Sequence, residues 1–549
     1  MPMPGSARRR FAVLVLEGLL LAMIVAFAAY LRLANLRDNP GWYTDEATHL
    51  EIARHAAEGR TQYMAFNQTT LLVARMPVFP WLISRIMLLF DLRGAESILA
   101  ARTLSALLNT LTVVLLYAVV RTATRREPHG PALALVAAAL FATSKAAIVF
   151  SRIAFSYNLM AALVLFMAWG LWLYLESSRR RWLALAACAI GVSIGSDLLA
   201  LNLLVPFVIV ALSRRPRDLL WGVPLALVPF GIYAAYYLLT VPDAFLYDLR
   251  FTLGRMGAGS FIMQIPNVLV NFVAFVMLLD FWLLPGVVGL FALRPPRFQR
   301  LSLLVCWLFI IALQRSIGLS YLSFYYFIPV LPLLVLGTAA LIVRGAPVLT
   351  ATVSDGLRAM FRSWRWWPQG RRWRWLEKRA VSIGTMLVVY MVAVHPFLFF
   401  SIVTSYEVTS ELETEIDAVL LDPDDARAVA QVANDLTSPD DVLIVSPTMG
   451  WLLDAHVADF QMAVTVLGQK TEHLPGDIPA NRYLFDARYT TANYVIVDNL
   501  WRNWAADNME EVGAMMEDVE TNWPVVFTAG EITLYRNPAR DVAAAPESP

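Results

Sequence analysis

The feature that constrains this chain most is the alternation of apolar blocks about twenty residues long with short clusters of arginine. An α-helix needs about 20 apolar residues to cross the ~30 Å hydrocarbon layer of a bilayer, and lipid satisfies no backbone polar group, so such blocks specify transmembrane helices. The hydrophobic fraction of 58% exceeds the roughly 45–50% of soluble domains, and the surplus sits in these blocks. Read this way, eleven spans are expected, at 11–33, 98–120, 131–149, 156–177, 182–196, 198–212, 219–240, 268–292, 301–313, 320–343 and 380–402. The first follows Arg8, Arg9 and Arg10, but it is longer than a signal-peptide core and no small-residue cleavage site follows it, so it reads as an uncleaved helix.

Orientation follows from arginine, because cytoplasmic loops carry the excess of Lys and Arg. Alternate loops hold Arg121, Arg125 and Arg126, then Arg179 to Arg181, then Arg214, Arg215 and Arg217, then Arg294, Arg297 and Arg300, and finally a basic stretch over 344–379. All share the side of the N-terminus. The chain is thus expected to be a plasma-membrane protein with a cytoplasmic N-terminus, a long first outer loop at 34–97 and an extracytoplasmic tail. The net charge of +1 hides this segregation and excludes nothing by itself. Residues 80–90, apolar but short and carrying Arg85, read as an amphipathic helix on the outer surface, with a re-entrant helix as the alternative. Residues 361–376 interleave tryptophan with arginine, which beside a span reads as an interfacial helix on anionic lipid, with no nucleic acid implied.

The tail at 411–549 has a different pattern. Runs at 441–446 and 494–498 are β-rich, 424–436 and 508–519 have helical spacing, and 525–528 with 531–536 form a hairpin pattern around Gly530. An α/β domain follows. Cys188 and Cys306 both fall in apolar runs, so no disulfide framework holds it. The whole is a mostly α, polytopic helical membrane protein, a module over 1–405 with a C-terminal extracytoplasmic α/β domain.

Two features carry chemistry. The first outer loop opens with Trp42-Tyr43-Thr44-Asp45-Glu46, where paired carboxylates just outside the membrane could supply a base. The same pattern also fits a helix cap at Thr44 or Asp45 with acids favoured in the first turn by the macrodipole. Secondly, Arg75, Lys145, Arg152, Arg250, Arg255 and Arg315 fall at outer helix ends, against the charge rule, and Lys145 is one of only three lysines. A cation there suits a phosphate whose lipid tail stays in the bilayer, and it also suits a side chain snorkelling to head groups. His49 and His55 do not define a metal site. Asp280 and His395, in or near apolar runs, are ionisable groups with no assigned role.

The order Asp45-Glu46, then Arg75-Met76-Pro77-Val78-Phe79-Pro80-Trp81-Leu82, then Ala101-Arg102-Thr103-Leu104-Ser105-Ala106-Leu107-Leu108 resembles the polyprenol-phosphate-dependent protein mannosyltransferases and lipid A aminoarabinose transferases of the GT-C fold. Ser151-Arg152-Ile153-Ala154-Phe155 and Tyr325-Tyr326-Phe327-Ile328-Pro329 extend the likeness over roughly residues 11–340. The resemblance implies a membrane glycosyltransferase that takes a sugar from a polyprenyl-phosphate carrier to an acceptor hydroxyl on a protein, lipid or glycan. It implies Asp45 as catalytic base, Glu46 as its partner, and Arg75 on the donor phosphate, with Lys145, Arg152, Arg255 and Arg315 as further phosphate ligands by position. Met76 departs from the family's Pro-Pro pair. Some relatives of this fold use a divalent metal ion and others do not. One rival class is a transporter or flippase of lipid-linked sugars, which places ionisable residues at the midplane of repeated halves; here they gather at outer ends. A second is a non-enzymatic membrane scaffold displaying the α/β tail, which leaves Asp45, Glu46 and the outer cations unexplained.

The charge pattern makes one prediction directly. A reporter active only outside the cytoplasm is expected to work when fused after Ser410 and to be silent when fused within 344–379. Equal activity at both sites contradicts the orientation.

Overall fold

The computed structural model describes residues 5–67, 76–256, 261–312, 321–363, 371–391 and 419–543, with a few isolated positions between 391 and 419. The first seven helices are α1 (Gly5–Leu33), α2 (Thr44–Ala57), α3 (Val78–Phe90), α4 (Ser97–Ala123), α5 (Gly130–Thr143), α6 (Lys145–Ser151) and α7 (Ser156–Ser177). Among the described residues five helices are long and apolar enough to cross a membrane, six if the bent pair α5–α6 is one span, and four shorter apolar helices accompany them. The protein is a multi-pass membrane protein. The expected amphipathic segment at 80–90 is α3, while residues 364–370 of the expected interfacial helix lie outside the described residues.

Two of the expected continuous spans are broken, each by a polar interaction distant in sequence. The span at 131–149 bends by 54° between α5 and α6. Opposite charges cap the two helix ends exposed by the bend. Arg32 donates to the carbonyls of Phe141 and Ala142 at 3.0 and 2.9 Å, closing the end of α5. Asp280 accepts from the Lys145 and Ala146 N–H groups and the Ser144 hydroxyl, at 3.0, 2.9 and 2.7 Å, closing the start of α6. Orphan amides and carbonyls at a helix break cannot turn to water in a bilayer, so side chains must satisfy them. At Asp280 itself the backbone leaves helical geometry (φ −146°, ψ 72°), which divides the expected span 268–292 into Phe261–Leu279 and a shorter piece. Further on, Gly286 and Gly289 meet Gly337 so closely that a Cβ on any of them would strike partner backbone, the small-residue contact that lets membrane helices approach.

The tail is a five-stranded sheet in the order β2-β1-β3-β5-β4. Its strands are β1 (Val442–Val445), β2 (His456–Asp459), β3 (Tyr494–Val497), β4 (Val525–Ala529) and β5 (Ile532–Arg536). β1 pairs in parallel with β2 and β3, and the hairpin β4–β5 adds antiparallel to β3. The near-continuous apolar runs of β1 and β3 suit strands covered on both faces. The sequence pattern missed β2.

The tail does not close its core alone. Its buried residues form one hydrophobic cluster with α2, α3 and the start of α4. Trp42 and Leu421 exchange backbone hydrogen bonds at 2.9 and 3.0 Å, Trp42 meets Trp451 edge-on at 5.2 Å, and Ala65 accepts from the Leu484 N–H at 2.9 Å. A bidentate pair from Arg482 to Asp248, 2.8 and 3.0 Å and buried, ties the tail to the helix Pro242–Met256. First loop and tail are therefore expected to melt in one transition. Truncating the fully buried Trp42 to Ala removes packing worth about 3–5 kcal/mol and is expected to lower that transition in calorimetry of the detergent-solubilised protein. Two separate wild-type transitions, with Trp42→Ala affecting one, contradict a shared core.

Candidate active site

The start of α2 is set by an ion pair reaching it from α4. Glu46 is fully buried and takes a two-pronged contact from Arg102, Nη2 to Oε1 at 2.5 Å and Nε to Oε2 at 3.0 Å. The other three N–H groups of Arg102 go to the carbonyls of Leu36, Pro40 and Gly41, at 3.1, 2.8 and 2.9 Å. All five guanidinium donors are thus used. Glu46 in turn accepts from the Tyr43 N–H at 3.1 Å and the Ala154 N–H at 3.1 Å. Two charges taken out of water cost several kcal/mol each unless geometry and further hydrogen bonds compensate, and here both partners are fully bonded.

This arrangement divides the two acids by role. The residue before α2 is Tyr43, and the backbone hydrogen bond at that end is accepted by Glu46, three residues on, half of a capping box. Asp45, between them, is half-buried. Its carboxylate is near enough to act electrostatically on the Tyr325 hydroxyl. Around that hydroxyl lies an aromatic basin. Tyr157 stacks on Tyr325 at 5.0 Å, Phe155 lies 4.7 Å from Tyr325 and 5.7 Å from Tyr43, and Tyr326 is 4.4 Å from Tyr325. The Tyr157 hydroxyl donates to Asp197 at 2.8 Å. The site thus holds one half-buried carboxylate beside a largely buried aromatic cluster, with a second carboxylate, Asp197, on the Tyr157 hydroxyl.

The cations read from sequence fare differently. Arg152 is buried and donates to the backbone carbonyls of Leu31, Asn35 and Asn39, at 3.2, 3.0 and 2.8 Å. It holds the turn that leads from α1 into the first loop, as Arg102 holds the next turn. Lys145 is half-buried at the first position of α6, its N–H on Asp280. Arg250 is exposed on the helix Pro242–Met256. Arg75, Arg315 and the Arg255 side chain lie outside the described residues. Met76 packs with Tyr237 and Phe245. Among the described residues no group of three or more His, Cys, Asp or Glu side chains is arranged to hold a metal ion.

Sequence reasoning used Arg102 only as part of a motif. The signal that finds it is an arginine within an apolar run, which must have a partner. It also passed over Glu51, about one and a half turns further along α2, whose side chain is 1% exposed. Burial works against its charge, but Arg54 and His55 outweigh this and hold the carboxyl down at about 2.

Over residues 74–241 the sequence matches the family described as dolichyl-phosphate-mannose-protein mannosyltransferase. No curated protein matches the chain. Among solved structures, ArnT from Cupriavidus metallidurans bound to undecaprenyl phosphate is similar at 15% identity and a TM-score of 0.59, over 95% of this chain and 98% of that one. Its apo state gives 15% and 0.59, over 97% and 99%. The oligosaccharyltransferase AglB from Archaeoglobus fulgidus, in complex with an inhibitory peptide and a dolichol-phosphate, gives 12% and 0.51, over 96% of this chain and 75% of that one. The chain has the GT-C fold of membrane glycosyltransferases. The likeness to ArnT takes in the tail as well as the helices.

Proposed function

We propose that the chain is a glycosyltransferase that moves a sugar from a polyprenyl-phosphate carrier to an acceptor hydroxyl on the extracytoplasmic face, with inversion at the anomeric carbon. The observation that carries this is the placement of Asp45, held at the start of α2 by the buried Arg102–Glu46 pair and opening on the aromatic basin. The fold is shared with a protein whose structure holds undecaprenyl phosphate, which supports a carrier of that class here.

Asp45 takes the proton of the acceptor hydroxyl as its oxygen attacks the anomeric carbon. The bond from that carbon to the phosphate oxygen breaks on the opposite face, and the phosphate leaves on its lipid. General-base assistance of this kind contributes roughly 10²–10⁴-fold. Stabilising the leaving phosphate falls to cations, for which Arg75 is our candidate from its motif. Glu46 acts as a positioning residue, since both its oxygens are engaged by Arg102 and backbone N–H groups. Tyr326, half-buried, offers its ring and hydroxyl to the sugar, and the buried Tyr157 and Tyr325 back it. A transport path would call for an ionisable group in the membrane; Asp280, the clearest one, is engaged in capping α6.

Two substitutions separate the roles. Asp45→Asn is expected to bind donor lipid as the wild type does while transfer falls by roughly 10²–10⁴-fold. Arg75→Ala is expected to weaken donor binding by about 1.5–3 kcal/mol, the worth of a charge-assisted contact. Full transfer by a folded Asp45→Asn protein contradicts the mechanism.

A further inference from the structure

A second cleft, of about 660 Å³, lies between the far half of α2 and the tail. It falls within the roughly 300–1,000 Å³ typical of ligand sites. Glu51, Arg54, His55 and Glu58 line its α2 wall, at the i, i+3, i+4, i+7 spacing that places them on one helix face. That face is centred roughly 130° around the helix from Asp45, with its residues about 80–180° away, and Glu51 lies about 9 Å further along the axis. The opposite wall comes from the tail, with Asp454 and His456. The cleft is therefore distinct from the basin that Asp45 faces.

Its α2 wall carries three buried side-chain atoms with no hydrogen-bond partner among the described residues, one each on Glu51, Arg54 and His55 (Nδ1). Glu51 Oε1 accepts from Arg54 and His55, at 3.0 and 2.9 Å, while its buried Oε2 has no hydrogen-bond partner among the described residues. Arg54 gives Nη1 to the Leu453 carbonyl at 2.6 Å, and its buried Nε likewise has none among them. An ionised carboxylate only accepts and a guanidinium only donates. An ammonium ligand could meet the Glu51 oxygen but not the Arg54 nitrogen, and a carboxylate the reverse, each against a like charge. A hydroxyl donates and accepts, and so meets all three. At the mouth Glu58 is paired with Arg60 and Asp91 with Arg93, so the rim offers donors and acceptors of both signs and selects no net charge.

The geometry points to a binding cleft for a neutral carbohydrate, which holds an acceptor glycan by sugar residues remote from the reacting hydroxyl. That the glycan is an acceptor rests on the transferase reading; the hydroxyl chemistry of the cleft does not. Because first loop and tail each supply a wall, a bound glycan spans the two units that share a core, and its remote contacts orient the end that reaches Asp45.

The test is calorimetric titration of the full-length protein in nanodiscs with short neutral manno-, gluco- and galacto-oligosaccharides, and with oligogalacturonate as an anionic control. At least one neutral series is expected to bind and the control is not. Two variants address the cleft. Glu51→Gln removes the buried charge, and Ala57→Trp fills the cleft from a half-buried position at the end of α2. Each is expected to weaken oligosaccharide binding by about tenfold or more while polyprenyl phosphate binds as before. The cleft is overturned if no neutral oligosaccharide binds the wild type, if oligogalacturonate binds as well as the neutral sugars, or if Ala57→Trp binds them unchanged. Oligosaccharide binding lost in Ala57→Trp supports the cleft even where Asp45→Asn leaves transfer intact, so failure of the transferase mechanism is read separately.

Discussion

The buried pair between Arg102 and Glu46 is the interaction on which the rest of this structure depends. Its guanidinium gathers the carbonyls of Leu36, Pro40 and Gly41 and the carboxylate of Glu46 into one point. It therefore fixes where the chain leaves α1 and where α2 begins. Arg152 does the same one turn earlier with Leu31, Asn35 and Asn39. A loop this close to a bilayer cannot leave its polar backbone groups to chance, and two buried arginines meet that need. The consequence for chemistry is that Asp45, adjacent to the pinned residue, has a defined position over the aromatic basin.

Beyond α2 the same loop serves as a seat for the tail. Trp42 lies between the pinned turn and Trp451, and the loop leaving β1 packs on α2 and on Met64. In open parallel sheets, ligands gather at the carboxyl ends of the strands where the order reverses, as it does here between β1 and its neighbours. In this tail, protein groups occupy those ends: Ser446 donates to Asp498, which also caps the Leu500 and Trp501 N–H groups, and Asp459 caps Met462. Burial pushes both acids up to about 6, against the pull of those bonds. The carboxyl end of β1 is turned toward the first loop, where Gly450 meets Met64.

How much of this was legible in the sequence depends on the range of the interaction involved. Apolar blocks are local, so the membrane class and most helices could be read directly. So could β1 and β3, whose runs of Val, Leu and Ile are unmistakable, and the hairpin around Gly530. β2, reading His-Val-Ala-Asp, carries too short an apolar core to register. The breaks at Ser144 and Asp280 were not legible, because the groups that stabilise them come from Arg32 and from Asp280 itself, more than a hundred residues from the ends they cap. At the site, Asp45 and Glu46 look alike in sequence. Which of them turns inward is decided by an arginine fifty-six positions on, a distance no local pattern spans. Arg152 read equally well as a phosphate ligand, since an arginine at a helix end shows nothing of the carbonyls it faces.

The central claim is that Glu46 positions while Asp45 reacts, and one double substitution tests it. Arg102→Met strands the Glu46 charge in a buried site and is expected to cost about 3–5 kcal/mol of stability, with transfer lost alongside. Adding Glu46→Gln neutralises that charge while keeping an oxygen for the Tyr43 N–H. The measurement is transfer activity and unfolding temperature of the two proteins side by side. Recovery of both in the double variant, relative to Arg102→Met alone, is the predicted result. A double variant that regains its unfolding temperature yet transfers no sugar would show that Glu46 itself takes part in the chemistry, and would contradict this account.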